Sequence, residues 1–191
     1  MGSGKSSRHQ TEKDNLKKEQ ESLKKEAEKA GKILGISKMF FENFPDQKYE
    51  TVPLIEITKS IEKIKNQIKP DVVFTHHSGD LNLDHQIVFK AVMTAFRPVR
   101  GETAKEIYSF EILASTEWSG PNRKNYFVPN VFIDVSETIS KKITAMASYK
   151  SELKKFPHPR SLKGIEVLAR KRGMEAGIKY AEAFELIRLL K

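Results

Sequence analysis

Pro70 restricts the fold of this chain more than any other single residue. It ends an amphipathic run over residues 52–68, where Leu54, Ile57, Ile61, Ile64 and Ile68 recur on one helical face. Directly behind it, residues 71–75 form a short apolar, strand-like run. Residues 84–95 then return to helical spacing, with Ile87, Val88, Ala91, Val92 and Ala95 facing inward. Helix, strand and helix in such quick succession is the alternation of an α/β protein, and it predicts a Rossmann-like, mostly parallel sheet with flanking helices.

The remaining segments extend that pattern. Residues 11–34 read as a helix closed by Gly35, residues 37–44 as an aromatic strand, and residues 105–113 and 131–135 as further strands. Helices are expected over residues 137–153 and 162–176, separated by a loop at Pro157-His158-Pro159-Arg160; residues 180–190 fit neither period. A sheet of this class normally begins on a buried strand, whereas here a polar Gly-Ser segment feeds straight into a helix. The expectation is one domain over residues 1–191 that lacks its first strand or strands.

Composition excludes several classes of protein. No apolar run reaches the roughly 20 residues of a membrane span, and no apolar stretch follows the basic residues near Met1 as a secretory signal requires. A cytoplasmic location is the default. With no cysteine, a metal site can use only nitrogen and oxygen ligands. The net charge of +9 suggests nucleic acid, but residues 11–32 interleave seven Lys with six acidic residues, as on a solvated helix face. The basic surplus lies over residues 150–191, without interleaved aromatics, so no nucleic-acid partner is expected. Gly4-Lys5-Ser6 lacks the preceding glycine of a phosphate-binding loop.

Chemistry concentrates over residues 76–85, which hold three of the five histidines just past the 71–75 strand. Ligands of open α/β sheets bind beyond the carboxyl ends of strands. A neutral imidazole there can ligate Zn2+ while a carboxylate, Asp80 or Asp84, fixes its tautomer. The competing reading makes Asp84 an ordinary helix N-cap and the histidines satisfied loop residues.

The block PDVVFTHHSGDLNLDHQ over residues 70–86 resembles a motif of the PIG-L (LmbE-like) family of zinc-dependent N-deacetylases. FPDQKYETVPL, FPHPRS and KYAEAFELIRL resemble further family segments in the same order. The resemblance implies His85 as a zinc ligand, with Asp84 orienting it. It implies Asp46 and Arg8 as sugar-binding residues on opposite sides of a pocket, and Asn82 where some members carry an oxyanion-stabilising histidine. His158 becomes a candidate acid or substrate contact, reaching across a subunit interface if the protein is a homo-oligomer, and Trp118 a candidate pocket wall. The implied reaction removes an N-acetyl group from a small-molecule sugar or glycoconjugate. The family's His-Pro-Asp-Asp block, which supplies the other two zinc ligands and the general base, occurs nowhere in the chain. An N-terminally truncated deacetylase domain with an incomplete zinc site is therefore expected; the alternative is a non-catalytic sugar-binding or scaffold remnant of the same fold.

Overall fold

The computed structural model describes residues 4–122 and 125–191, with side chains from residue 18 onward. In chain order the elements are α1 (Gly4–Leu34), α2 (Leu54–Ile68), β1 (Val72–His76), α3 (Leu83–Ala95), β2 (Glu106–Phe110), β3 (Val131–Asp134), α4 (Ile139–Met146), α5 (Leu162–Ala176) and β4 (Ala181–Leu189). The α/β class expected from the sequence holds, but the sheet is mixed. Its order is β1-β2-β4-β3, with β1 and β2 parallel and β4 antiparallel to both β2 and β3. Three strands thus share one direction, and the reversed β4 lies between two of them. Residues 181–189 form one strand, β4, paired along both edges, although Ala181, Glu182, Ala183 and Glu185 leave little hydrophobic alternation to read in its first half.

Strand alternation sorts the sheet faces. Val73 and the fully buried Ile107 pack with Val92, Ala95 and Phe96 from α3 and its end, and with Ile61 of α2. Phe74, Tyr108 and Phe184 form a cluster of ring contacts on the other side. Phe74 remains 53% exposed, so β1 is an edge strand buried on one face only.

The strand expected over residues 37–44 does not form. The segment is part of none of the four strands and instead lies back on α1. A Cβ on Gly31 would come within 2.6 Å of the Met39 sulfur, while the ammonium groups of Lys24 and Lys38 sit over the rings of Phe41 and Phe40. Helix α4 is also shorter than its expected range. Past Ala147 the chain turns toward α1, where the Glu26 carboxylate accepts from the Lys150 amide (3.3 Å) and the Ser151 hydroxyl (3.4 Å). No described helix is long and apolar enough to cross a membrane.

Candidate active site

The parallel pair β1 and β2 ends with His76 opposite Phe110, and the loop to α3 begins there. Asn82 is the N-cap of α3: its backbone is extended and its side-chain oxygen accepts from the Asp84 amide at 2.9 Å. Asp84 is therefore not the cap. Its buried carboxylate accepts instead from the amides of Gln47 (2.7 Å) and Tyr49 (3.0 Å), tying the Phe44-Pro45-Asp46 turn to the start of α3. Burial, followed by the charges of Asp84 and Asp46, pushes the Tyr49 phenol up, as expected if both carboxylates lie close to its ring.

The carboxylate on His85 is that of Asp80, a correction to the role expected for Asp84. Adjacent residues on a helix point about 100° apart, so Asp84 and His85 face different surroundings. The His85 Nδ1–H donates to Asp80 Oδ1 at 2.9 Å. Asp80 is 1% exposed and also accepts from the Asn82 amide (2.9 Å), the Thr116 hydroxyl (2.6 Å) and the Ser115 hydroxyl. Burial alone would raise its pKa, but the bonds from His85, Ser115, Thr116 and Asn82 more than reverse this and hold it well below the usual carboxylate range. An ionised Asp80 only accepts, so the proton of neutral His85 belongs on Nδ1 and the Nε2 lone pair is open.

The His76 ring stacks on His85 with centroids 4.3 Å apart, and its buried Nδ1 has no hydrogen-bond partner among the described residues. Burial and the neighbouring His85, against the pull of Asp80, lower it to about 4. His76 is thus neutral at pH 7 and packs as a flat polar plate behind His85.

Ser115 and Thr116 link Asp80 to the opposite wall. Thr116 begins the short 3-10 turn Thr116–Trp118, and its hydroxyl also accepts from the Ile112 amide at 2.8 Å. Glu117 accepts from the amides of Ala114 (2.7 Å) and Ser115 (3.2 Å), so the loop is braced by its own side chains. Trp118 is half exposed and meets the His158 ring edge-on at 5.7 Å. The His158 Nδ1 accepts from the Arg160 amide (3.1 Å), and the Arg160 guanidinium reaches the Leu113 carbonyl and Glu152. Asp46 lines an open groove of about 710 Å3 that also includes Phe41, Phe44, Tyr149 and Glu152.

His85, Asn82, Asp84, Trp118 and His158 thus belong to one connected set of contacts, with Asp46 joined through its turn. The side chain of Arg8 lies outside the described residues. Sequence reasoning overlooked Ser115 and Thr116, which carry no motif, and gave Asp80 no more weight than Asp84. Among the described residues no group of three or more His, Asp or Glu can hold a metal ion. His85 offers a single open nitrogen, and Asp80 is already occupied by four donors, so these residues do not make up a zinc centre.

Comparison with known proteins adds the lineage. The family described as PIG-L, GlcNAc-PI de-N-acetylase, matches residues 1–96. The uncharacterized deacetylase YaiS of Escherichia coli is 33% identical over 132 residues, covering 66% of this chain; the chain spans 64% of that relative's length. Among solved structures, the conserved protein TT1542 of Thermus thermophilus superposes with a TM-score of 0.69 at 23% identity, over 90% of this chain and 75% of its own. N,N'-diacetylchitobiose deacetylase of Pyrococcus horikoshii gives 0.67 at 18%, covering 87% and 63%. GalB of Pseudomonas putida, a 4-carboxy-2-hydroxymuconate hydratase, gives 0.65 at 21%, covering 90% and 74%. A hydratase and a deacetylase on one scaffold show that this fold alone does not fix the reaction. The family match over residues 1–96, half of the chain, nevertheless establishes descent: the chain belongs to the PIG-L, or GlcNAc-PI de-N-acetylase, family.

Proposed function

We propose that this domain serves hydrolysis of an N-acetyl group on a sugar or glycoconjugate, with His85 as a zinc ligand, and that the 191 residues alone bind zinc weakly and turn over little. The observation that carries the reading is the buried Asp80, which fixes His85 with Nε2 open. A ligating imidazole characteristically donates its other ring N–H to a carboxylate, and that contact raises its basicity.

The other residues have roles that follow from their free atoms. Asn82 uses its oxygen in the cap, leaving its amide N–H donors to face a developing oxyanion. His158 accepts at Nδ1, so its neutral form carries a proton on Nε2 that it can give to a leaving amine. Asp46 and Trp118 supply a carboxylate and an aromatic face, a combination suited to the hydroxyls and the C–H face of a sugar. The second reading, a non-catalytic sugar binder, is favoured by the described residues' lack of any group of three or more His, Asp or Glu able to hold a metal ion.

Isothermal titration with Zn2+, an amine-release assay on N-acetylglucosamine conjugates and amide spectra with the same compounds test both. The expected outcome is no stoichiometric zinc at micromolar affinity, little amine release, zinc-induced shifts centred on His85, and sugar-induced shifts at Asn82, Asp46 and Trp118. Tight one-to-one zinc with turnover would overturn the incomplete site; sugar shifts confined to other surfaces would overturn the substrate class.

A further inference from the structure

A second histidine–carboxylate pair lies at the same strand end and belongs to no part of the proposed reaction. We propose that His77 and Glu185 form a proton-dependent latch holding residues 125–128 against the end of the sheet, and that loss of the His77 proton releases them.

His77 is 3% exposed, and both of its ring nitrogens are engaged: Nδ1 lies 2.9 Å from Glu185 Oε2 and Nε2 lies 3.1 Å from the Asn125 carbonyl oxygen. Glu185 of β4 accepts two further bonds, from the Ser109 hydroxyl (2.9 Å) and the Val128 amide (2.6 Å). A carboxylate so supplied with donors is ionised, and a carbonyl oxygen can only accept. Both ring nitrogens must therefore donate, which makes His77 an imidazolium. The two bonds that tie residues 125–128 to the sheet, His77 Nε2 to Asn125 O and Val128 N to Glu185 Oε1, end on this one ion pair.

The segment is docked closely. A Cβ on Gly79 would come within 2.4 Å of the Asn125 Cα, so only glycine permits the approach. Phe127 meets His77 edge-on at 5.4 Å. Asn125 also donates from its side chain to the Ser119 carbonyl (3.1 Å), next to Trp118, so the latch braces that side of the candidate site.

A neutral His77 keeps one N–H and faces the second acceptor with a lone pair, so one of the two contacts must fail. Of the charged groups around the ring, those that oppose that loss are the carboxylates of Glu185 from β4 and Asp80 from its own loop; the Arg172 guanidinium of α5, across the Phe127 ring, has the opposite sign of effect but is itself paired with Glu111 and Glu175. Burial lowers the imidazolium's pKa, but Glu185, the Asn125 carbonyl and Asp80 together raise it above the ordinary 6.5. Glu185 is lowered despite its burial, chiefly by the bonds from His77, Val128 and Ser109. The signs set the window. The His77 contribution is complete below pH 6.5 and is lost as pH rises through the raised folded-state value; that of Glu185 is present above its ordinary 4.5 and is lost as pH falls through its lowered one.

A titration of the full chain by long-range proton–nitrogen spectra of the histidine rings, with amide exchange measured alongside, tests the latch without reference to catalysis. His77 should carry two ring protons at pH 6 and titrate above 6.5. Protection of the Val128 amide, corrected for intrinsic exchange, should fall at least about tenfold across that midpoint while Ile107 in β2 keeps its protection. Glu185→Gln should bring the midpoint below the ordinary value and abolish the alkaline step at Val128. If that variant does not fold, the titration of the unmodified chain still decides. A singly protonated His77 at pH 6, or Val128 protection unchanged across the midpoint, would overturn the proposal.

Discussion

His85 with Asp80 and His77 with Glu185 are two pairs of the same composition, each joined through Nδ1 at 2.9 Å. They differ in what the second ring nitrogen meets. For His77 it is a carbonyl oxygen, which demands a proton and makes the ring a clamp; for His85 it has no partner among the described residues, which leaves a lone pair for chemistry. A carboxylate beside a histidine does not by itself mark a reactive group: the atom on the far side of the ring decides.

The sharpest way to break this comparison is to delete each ring. His77→Ala leaves Glu185 a half-buried charge and frees residues 125–128, so a loss of about 4 kcal/mol is expected. His85→Ala leaves Asp80 with three of its four donors, and should cost about 1 kcal/mol. Urea unfolding of both variants measures the difference; equal losses would mean that the two pairs play the same structural part.

Acidification probes the plate behind His85. His76 has a folded-state value of about 4 against 6.5 for the free side chain, so its neutral form is favoured by folding. The stabilisation is complete above pH 6.5 and declines as pH falls toward 4, by about 3 kcal/mol in all. His76→Phe should flatten this acid limb of a stability–pH profile, and an unchanged limb would assign it to other groups.

Much of the frame was legible in the sequence because its signals are local. Pro70 marks the break between α2 and β1, and Ser161 and Gly177 bracket α5, whose span agrees with the helical spacing of residues 162–176. What was illegible depends on distant partners. Glu185 lies 108 residues from His77, and Ser115 and Thr116 lie 35 and 36 residues from Asp80, in a stretch without a pattern. The residues alone left Asp80 and Asp84 open, and the family resemblance pointed to Asp84, whereas the His85 Nδ1–H donates to Asp80. Residues 37–44 have strand-forming side chains but pack on α1 rather than on the sheet, and β propensity describes a fit to a pleated, half-buried surface rather than a property of the segment.

Asp84→Ala sharpens the assignment of that residue as a tie rather than as the His85 support. Two amide donors lose their acceptor, with a loss of about 2 kcal/mol. Amide spectra should move at Gln47 and Tyr49 while the His85 ring signals stay in place. Displacement of the His85 signals instead would restore Asp84 to the role expected from the sequence. Trp118→Ala should have the smallest effect on folding, under about 1 kcal/mol for a half-exposed side chain, yet it should weaken sugar-induced shifts at Asn82. A large thermal destabilisation would make Trp118 part of the core.

The protons on the imidazole rings test the central distinction most directly. In a long-range proton–nitrogen spectrum of the full chain at pH 6, His77 is predicted to carry a proton on each nitrogen. The neutral form of His85 is predicted to carry its proton on Nδ1, with a bare Nε2. A His85 ring protonated on Nε2, or a His77 ring with one bare nitrogen, would contradict the account.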